Sequence, residues 1–221
     1  MKILYLYGFA SGPQSNKAQY FKKRFSKLEK SIDFEIFDYI PDKKSFTNLK
    51  TSKLMEKLKL YIQRNYRNDL ILFGSSFGAL LATWFTNLQL QQITVSKLIL
   101  IAPALRFNSE FLLNTLNITA SEWEERKFVL VDHYRYNEAV PLNFEFYKDL
   151  SINPPPNFQK MDIQIPTLIL HSKNDEVCPV DWSIEYAAFK KKVQLEILNG
   201  DHQLLEQKDI LWKHIKKFLG V

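Results

Sequence analysis

The sequence predicts an α/β protein: a mostly parallel six-stranded sheet with helices on both faces and one inserted stretch. Three observations carry this. Short apolar runs alternate with longer amphipathic segments along all 221 residues, the pattern of parallel strands joined by crossover helices. Several runs are apolar almost without interruption, as expected of strands covered on both faces. One stretch, residues 104–160, breaks the alternation and is too long for a simple connection. The length suits a single domain over residues 1–221, with 104–160 as an inserted cap.

The elements follow in order. Run 2–7 (KILYLY) ends at Gly8, and Gly8 and Gly12 bracket the loop GFASG. Ala18, Phe21, Phe25 and Leu28 then share one helical stripe, and after run 33–38 (DFEIFD) so do Leu54, Leu58 and Ile62. Run 69–73 (DLILF) leads straight into Gly74-Ser75-Ser76-Phe77-Gly78 and the helical pattern ALLATWFTNL. Run 97–101 (KLILI) opens onto the insertion, where ten aromatic residues gather, among them Phe107, Trp123, Tyr134 and Phe146. Thr119 with Glu122 has the spacing of a capping box, and RKFVLVDHY reads as a strand or an extended arm. Pro154, Pro155 and Pro156 close the insertion before run 166–171 (PTLILH), and Pro179 starts the next helical segment. Run 193–198 (VQLEIL) precedes GDH and a final helix, read from QLLEQKDILWKHI, with Leu211, Ile215 and Phe218 on its apolar face.

The chemistry starts at residues 74–78, which fit G-x-S-x-G with a strand before and a helix after. That context makes a nucleophile elbow of the motif. So tight a turn strains its central residue, and side chains two positions either side would collide, hence Gly74 and Gly78. Ser76 is then lifted clear of the sheet at a helix N-terminus, while Ser75 is ordinary turn chemistry. A serine hydroxyl needs a base. His171 sits at a strand end, His133 in the insertion and His214 on the polar side of the last helix. His202, on the loop after the last strand, can reach the elbow, and Gly200 gives that loop its turn. The acid should lie between serine and histidine in chain order, and Asp175 does, on the loop after run 166–171. Glu176 is a weaker rival, equally readable as a solvated residue, and Asp201 is too close to His202 in sequence to reach round to its ring. Two backbone N–H groups must face the oxyanion: that of Phe77, and that of Phe9, with Gly8 allowing close approach. Of the six glycines only Gly220 lies away from this site.

These features together resemble the α/β-hydrolases, and more narrowly the small YqiA-type esterases. The matching stretches are YGFASGPQSNKA, GSSFGALLA, HSKNDEVCP and GDHQL, so the resemblance spans nearly the full chain. It implies a trimmed α/β-hydrolase fold that lacks the first two strands of larger relatives. It also implies Ser76 as nucleophile, Asp175 as acid and His202 as base. Where many such hydrolases carry His-Gly after the first strand, this chain has Tyr7-Gly8. The Tyr7 hydroxyl either holds the oxyanion loop or the ring simply packs.

Composition narrows the partners. With 46% hydrophobic and 24% charged residues the chain reads as a globular protein. Its +6 formal charge is spread over helix faces without a basic block, so nucleic acid is not an expected partner. No stretch reaches the ~18 apolar residues of a membrane span. Gly8 interrupts the first apolar run too early for a signal peptide, and the single Cys178 suits a reducing cytoplasm. The isolated histidines give no metal-ligand spacing and no phosphate-loop motif is present, so no cofactor is expected. The expected activity is that of a serine esterase or thioesterase acting on a small-molecule ester, the aromatic cap either receiving an apolar group or only packing on the sheet. An acyltransferase or amidase would use the same triad, and a silent hydrolase fold serving as a binding module is the remaining alternative.

Overall fold

The computed structural model describes residues 1–29, 32–66 and 69–221. Strands β1 (Lys2–Leu6), β2 (Asp33–Ile36), β3 (Leu70–Ser75), β4 (Val95–Ile101), β7 (Thr167–Ser172) and β8 (Val193–Leu198) form one parallel sheet in the order β2-β1-β3-β4-β7-β8. Each coincides within two residues or less with an apolar run of the sequence. The full two-residue differences are at the end of the second run, which stops at Ile36, at the elbow end of β3, which extends to Ser75, and at the start of β4, which begins at Val95. β3 and β7 are buried at every position, whereas the edge strands β2 and β8 are only partly covered. Unbroken apolar runs in the centre and mixed ones at the edges are what a sheet covered on both faces dictates.

Helices α1 (Asn16–Phe25), α2 (Lys43–Thr47), α3 (Thr51–Asn65), α4 (Phe77–Asn87), α8 (Asp181–Phe189) and α9 (Lys208–Leu219) surround the sheet. In α1 the stripe Ala18, Phe21 and Phe25 is buried, and in α3 Leu54, Leu58 and Ile62 are. α4 buries residues around most of its circumference, so it shows no clean stripe. The last helix starts at Lys208, five residues later than its sequence pattern suggests. Asp201 accepts a hydrogen bond from the Leu204 amide at 2.8 Å, and Leu204 itself has a φ of +51°, so residues 201–204 turn instead of winding into the helix.

Between β4 and β7 lie α5 (Ser109–Leu116), α6 (Ala120–Arg126), an antiparallel hairpin of β5 (Phe128–His133) and β6 (Glu138–Asn143), and α7 (Glu145–Ile152). Thr119 and Glu122 form a reciprocal capping box at the start of α6. RKFVLVDHY takes the strand alternative. The buried residues of this insertion, including Trp123, Leu142, Phe146 and Leu150, belong to the same hydrophobic cluster as the sheet.

The hairpin turn clasps the loops beside β1 and β2. The Tyr134 amide donates to the Ala10 carbonyl at 2.9 Å, and the Arg135 guanidinium meets the Asp38 carboxylate at 3.1 Å and the Ile40 carbonyl at 2.9 Å. His133 is buried there against Phe46, at 4.6 Å between ring centres, and its Nε2 has no partner. Burial, with Arg135 nearby, lowers its pKa from 6.5 to about 4. A histidine depressed in the folded state binds its proton more readily when unfolded. Its contribution to stability is therefore complete above about pH 6.5 and lost as the pH falls toward about 4. Between pH 7.5 and pH 4.5 this amounts to roughly 2 to 3 kcal/mol. Chemical denaturation at the two pH values should show that loss in the native protein and not in His133→Phe; equal losses would remove His133 as its source.

Candidate active site

The elbow forms where β3 runs into α4. Ser76, the residue between them, has φ +53° and ψ −118°, a conformation ordinary side chains avoid. It is held there because its amide donates to the Ile101 carbonyl at 2.8 Å while its carbonyl accepts from Ala79 at 3.0 Å and Leu80 at 3.2 Å. Such over-determined strain is typical of functional sites. The flanking glycines are sterically required: a Cβ on Gly74 would lie 2.4 Å from the Ala79 Cα, and one on Gly78 would lie 2.1 Å from the Leu6 carbonyl oxygen. A Cβ on Gly8 would sit 3.5 Å from that of Ser76, so this loop passes directly beside the serine.

Ser76, His202 and Asp175 come together although they are far apart in the chain. His202 Nε2 lies 3.0 Å from Ser76 Oγ, and His202 Nδ1 lies 2.7 Å from Asp175 Oδ2 and 2.9 Å from Oδ1. An ionised carboxylate only accepts, so the hydrogen-bond network assigns the neutral ring's proton to Nδ1 and leaves Nε2 free to accept from the serine hydroxyl. The Asp175 side chain is fully buried, whereas 14% of the His202 side chain is exposed. Burial opposes the carboxylate's charge, but hydrogen bonds from His171 and His202, the His202 charge and the Cys178 amide outweigh it. They hold the Asp175 carboxyl well below the usual carboxylate range.

His171 is a participant that sequence reasoning left at a strand end. It is completely buried; its Nε2 faces Asp175 Oδ2 at 3.1 Å and the Cys178 carbonyl at 2.9 Å, while its Nδ1 lies 2.6 Å from Ser183 Oγ. With two acceptors at Nε2, that nitrogen carries a proton. The Val177 and Cys178 amides donate to Asp175 Oδ1 at 2.9 and 2.7 Å, so the acid is gripped on all sides. The rival carboxylates have other work. Glu176 accepts from the His202 amide at 3.1 Å, and Asp201 holds the 201–204 turn. Gly200 has φ +148°, and its carbonyl accepts from Ser172 Oγ, tying the histidine loop to the end of β7. Burial pushes the Cys178 thiol far up, so it stays protonated beside Ser76 and does not compete as a nucleophile.

Among the described residues the amides of Phe9 and Phe77 have no protein acceptor. Phe9 is anchored by its ring, 5.8 Å from Phe77 and 5.7 Å from Phe146 between ring centres. Tyr7 does not reach the oxyanion loop with its hydroxyl. That group donates to Asp38 Oδ1 at 2.7 Å and accepts from the Ile40 amide at 2.9 Å, while the ring stacks on Tyr39 at 4.2 Å. Ser75 is buried at the end of β3 and belongs to the strand, not to the turn.

A cavity of about 310 Å³ opens over Ser76 and His202, walled by Phe9, Lys17, Tyr134, Val177 and Leu205 among others. Of the ten aromatic residues in the insertion only Tyr134 lines it; Phe128 is exposed and others pack, Phe107 against Phe77 and Phe144 against Tyr147. Among the described residues no group of three or more His, Cys, Asp or Glu is placed to hold a metal ion, and no helix is long and apolar enough to cross a membrane.

Known structures share the architecture. Alpha/beta hydrolase domain-containing protein 10 from mouse superposes with a TM-score of 0.75 at 18% identity, covering 99% of this chain and 89% of its own. Est1E from Butyrivibrio proteoclasticus, with ferulic acid bound, gives 0.76 at 15% identity, covering 100% and 90%. The esterase EaEST from Exiguobacterium antarcticum gives 0.66 at 18% identity, covering 99% and 91%. At these identities the likeness shows the α/β-hydrolase fold. No curated protein matches the sequence. The profile of the Uncharacterised protein family (UPF0227) matches residues 2–220.

Proposed function

The chain belongs to that family, UPF0227, and from this premise we propose that the protein is a serine hydrolase of carboxylic esters or thioesters. The observation that carries the reading is the continuous relay Ser76–His202–Asp175, with contacts of 3.0 and 2.7 Å. Ser76 Oγ attacks the carbonyl carbon as its proton passes to His202 Nε2. The tetrahedral oxygen takes its negative charge between the Phe9 and Phe77 amides, both free of other acceptors, at the N-terminus of α4. Asp175 stabilises the imidazolium without taking its proton. His202 then protonates the departing alcohol or thiol, leaving an acyl group on Ser76. Water attacks this ester with His202 again as base, and collapse returns the serine and releases the acid. Residues 104–160 act within this single domain as a cap, reaching the pocket through Tyr134. The aromatic cluster around Phe9 and Phe107 serves to fix the loop that carries one oxyanion amide.

The direct test is labelling with a fluorophosphonate, which captures an activated serine. Peptide mapping should place the adduct on Ser76, and Ser76→Ala should take up none. Failure of the folded native protein to react would remove the reading.

A further inference from the structure

Lys17 stands in an arrangement that local physics disfavours. It is the second residue of α1, whose first turn contains no acid, so its charge opposes the positive end of the helix dipole. It also lines the catalytic cavity together with Ser76 and His202. Burial lowers its pKa to about 8, against the pull of Asp175 and Asp201.

The neighbouring carboxylates are engaged in other hydrogen bonds. Asp175 is occupied by two histidines and two amides, Asp201 by the Leu204 amide, and Glu176, the one acid in the cavity lining, by the His202 amide. Among the described residues Lys17 makes no ion pair within 4 Å. Around it the wall is neutral and polar, formed by Ser11, Gln14, Ser15, Asn16 and Gln203. A half-buried cation, the first residues of a helix and uncharged hydrogen-bonding groups in one cavity with Ser76 make a receptor for an anion.

We infer that the substrate is an ester or thioester carrying a carboxylate, which Lys17 and the N-terminus of α1 receive beside Ser76. This deepens the serine-hydrolase reading and rests on it. A single cation in a lining that also holds Glu176 matches a monoanion better than a phosphate dianion, which would call for more than one positive side chain.

Two matched substrate pairs test the inference and locate the anion. In 4-acetoxybenzoate against 4-acetoxybenzamide the charge is on the leaving group. In the 4-nitrophenyl monoester of adipic acid against 4-nitrophenyl heptanoate it is on the acyl chain. Lys17→Met should lower the charged-to-neutral ratio of kcat/KM by about 10- to 100-fold in one pair, the size of one charged hydrogen bond, with Lys17→Arg retaining most of it. The native preference should be full below about pH 8 and fade above it as the ammonium deprotonates. A ratio that Lys17→Met leaves unchanged in both pairs overturns the inference even if neutral esters are cleaved, an outcome that would spare the serine-hydrolase reading. Should the native protein cleave none of these esters, calorimetry with adipate still decides. Binding at least tenfold tighter to the native protein than to Lys17→Met supports the carboxylate site, and equal or absent binding overturns it.

Discussion

Ser76→Ala and His202→Ala, separately and together, should each lower kcat on a neutral ester by one common factor, about 10⁴ to 10⁶. The reason is that neither group does anything useful alone. A serine hydroxyl at neutral pH is a poor nucleophile unless its proton has somewhere to go, and Nε2 of His202, 3.0 Å away, is the acceptor the fold supplies. Remove either and the other loses its role, so the double variant should be no worse than the singles. On the proposed mechanism, stabilisation of the oxyanion by the Phe9 and Phe77 amides should survive, because a side-chain truncation leaves them in place. Asp175→Asn should be nearly as severe, about 10⁴-fold. The amide nitrogen would present protons where the carboxylate now accepts from Nδ1 at 2.7 Å, pushing His202 into the tautomer that cannot take the serine proton. Steady-state kinetics on all four variants checks this. Losses in the double variant equal to the product of the single losses would show that Ser76 and His202 do not act as a unit.

The parts of this arrangement that were legible in the sequence are those set by local rules. β3 and β7 read as unbroken apolar runs because both faces are covered, and Gly74 and Gly78 stand out because backbone passes within a few ångströms of each. Ser76, Asp175 and His202 follow from their positions just after the apolar runs of β3, β7 and β8. The parts that were not legible depend on tertiary placement. His171 lies inside an apolar strand, and only the folded acid loop turns its Nε2 toward Asp175. Lys17 looks like one more solvated lysine until the fold brings the first turn of α1 to the cavity that Ser76 lines. The aromatics of 104–160 give no sign in sequence of whether they line a cavity or fill one, since burial and ligand contact select the same residues. Tyr7 is similar: its hydroxyl partners, Asp38 and Ile40, come from the far end of a crossover connection.

Gly78→Ala should be the most destabilising small substitution in the protein, and the sign is opposite to what helix propensity alone suggests. Gly78 is the second residue of α4, where alanine would ordinarily be favoured by up to about 1 kcal/mol. Here the added methyl would lie 2.1 Å from the Leu6 carbonyl oxygen, 2.3 Å from that of Tyr7 and 2.5 Å from the Leu6 carbonyl carbon. All three are backbone atoms of the β1 end, so no rotamer change can make room. Either α4 lifts off the sheet or β1 leaves its register with β3, and both movements open the core where Leu6, Phe77 and Leu80 are buried. Overpacking that cannot relax exceeds the usual 1–3 kcal/mol, and a cost above about 4 kcal/mol overwhelms the propensity gain. In a chain of this size that corresponds to a fall in Tm of about 8 to 16 °C or more. Gly220→Ala supplies the contrast, because that glycine has φ +73° and an added Cβ would meet nothing within 4 Å, so the change involves backbone strain alone, about 1 kcal/mol. Gly8→Ala supplies another, since its methyl would make only an ordinary 3.5 Å contact with the Ser76 Cβ and should crowd the reacting serine more than the fold. Thermal melts of the three variants therefore separate close approach from conformational freedom. A Gly78→Ala protein as stable as the native one would mean that α4 does not pack against β1 as closely as the elbow geometry requires.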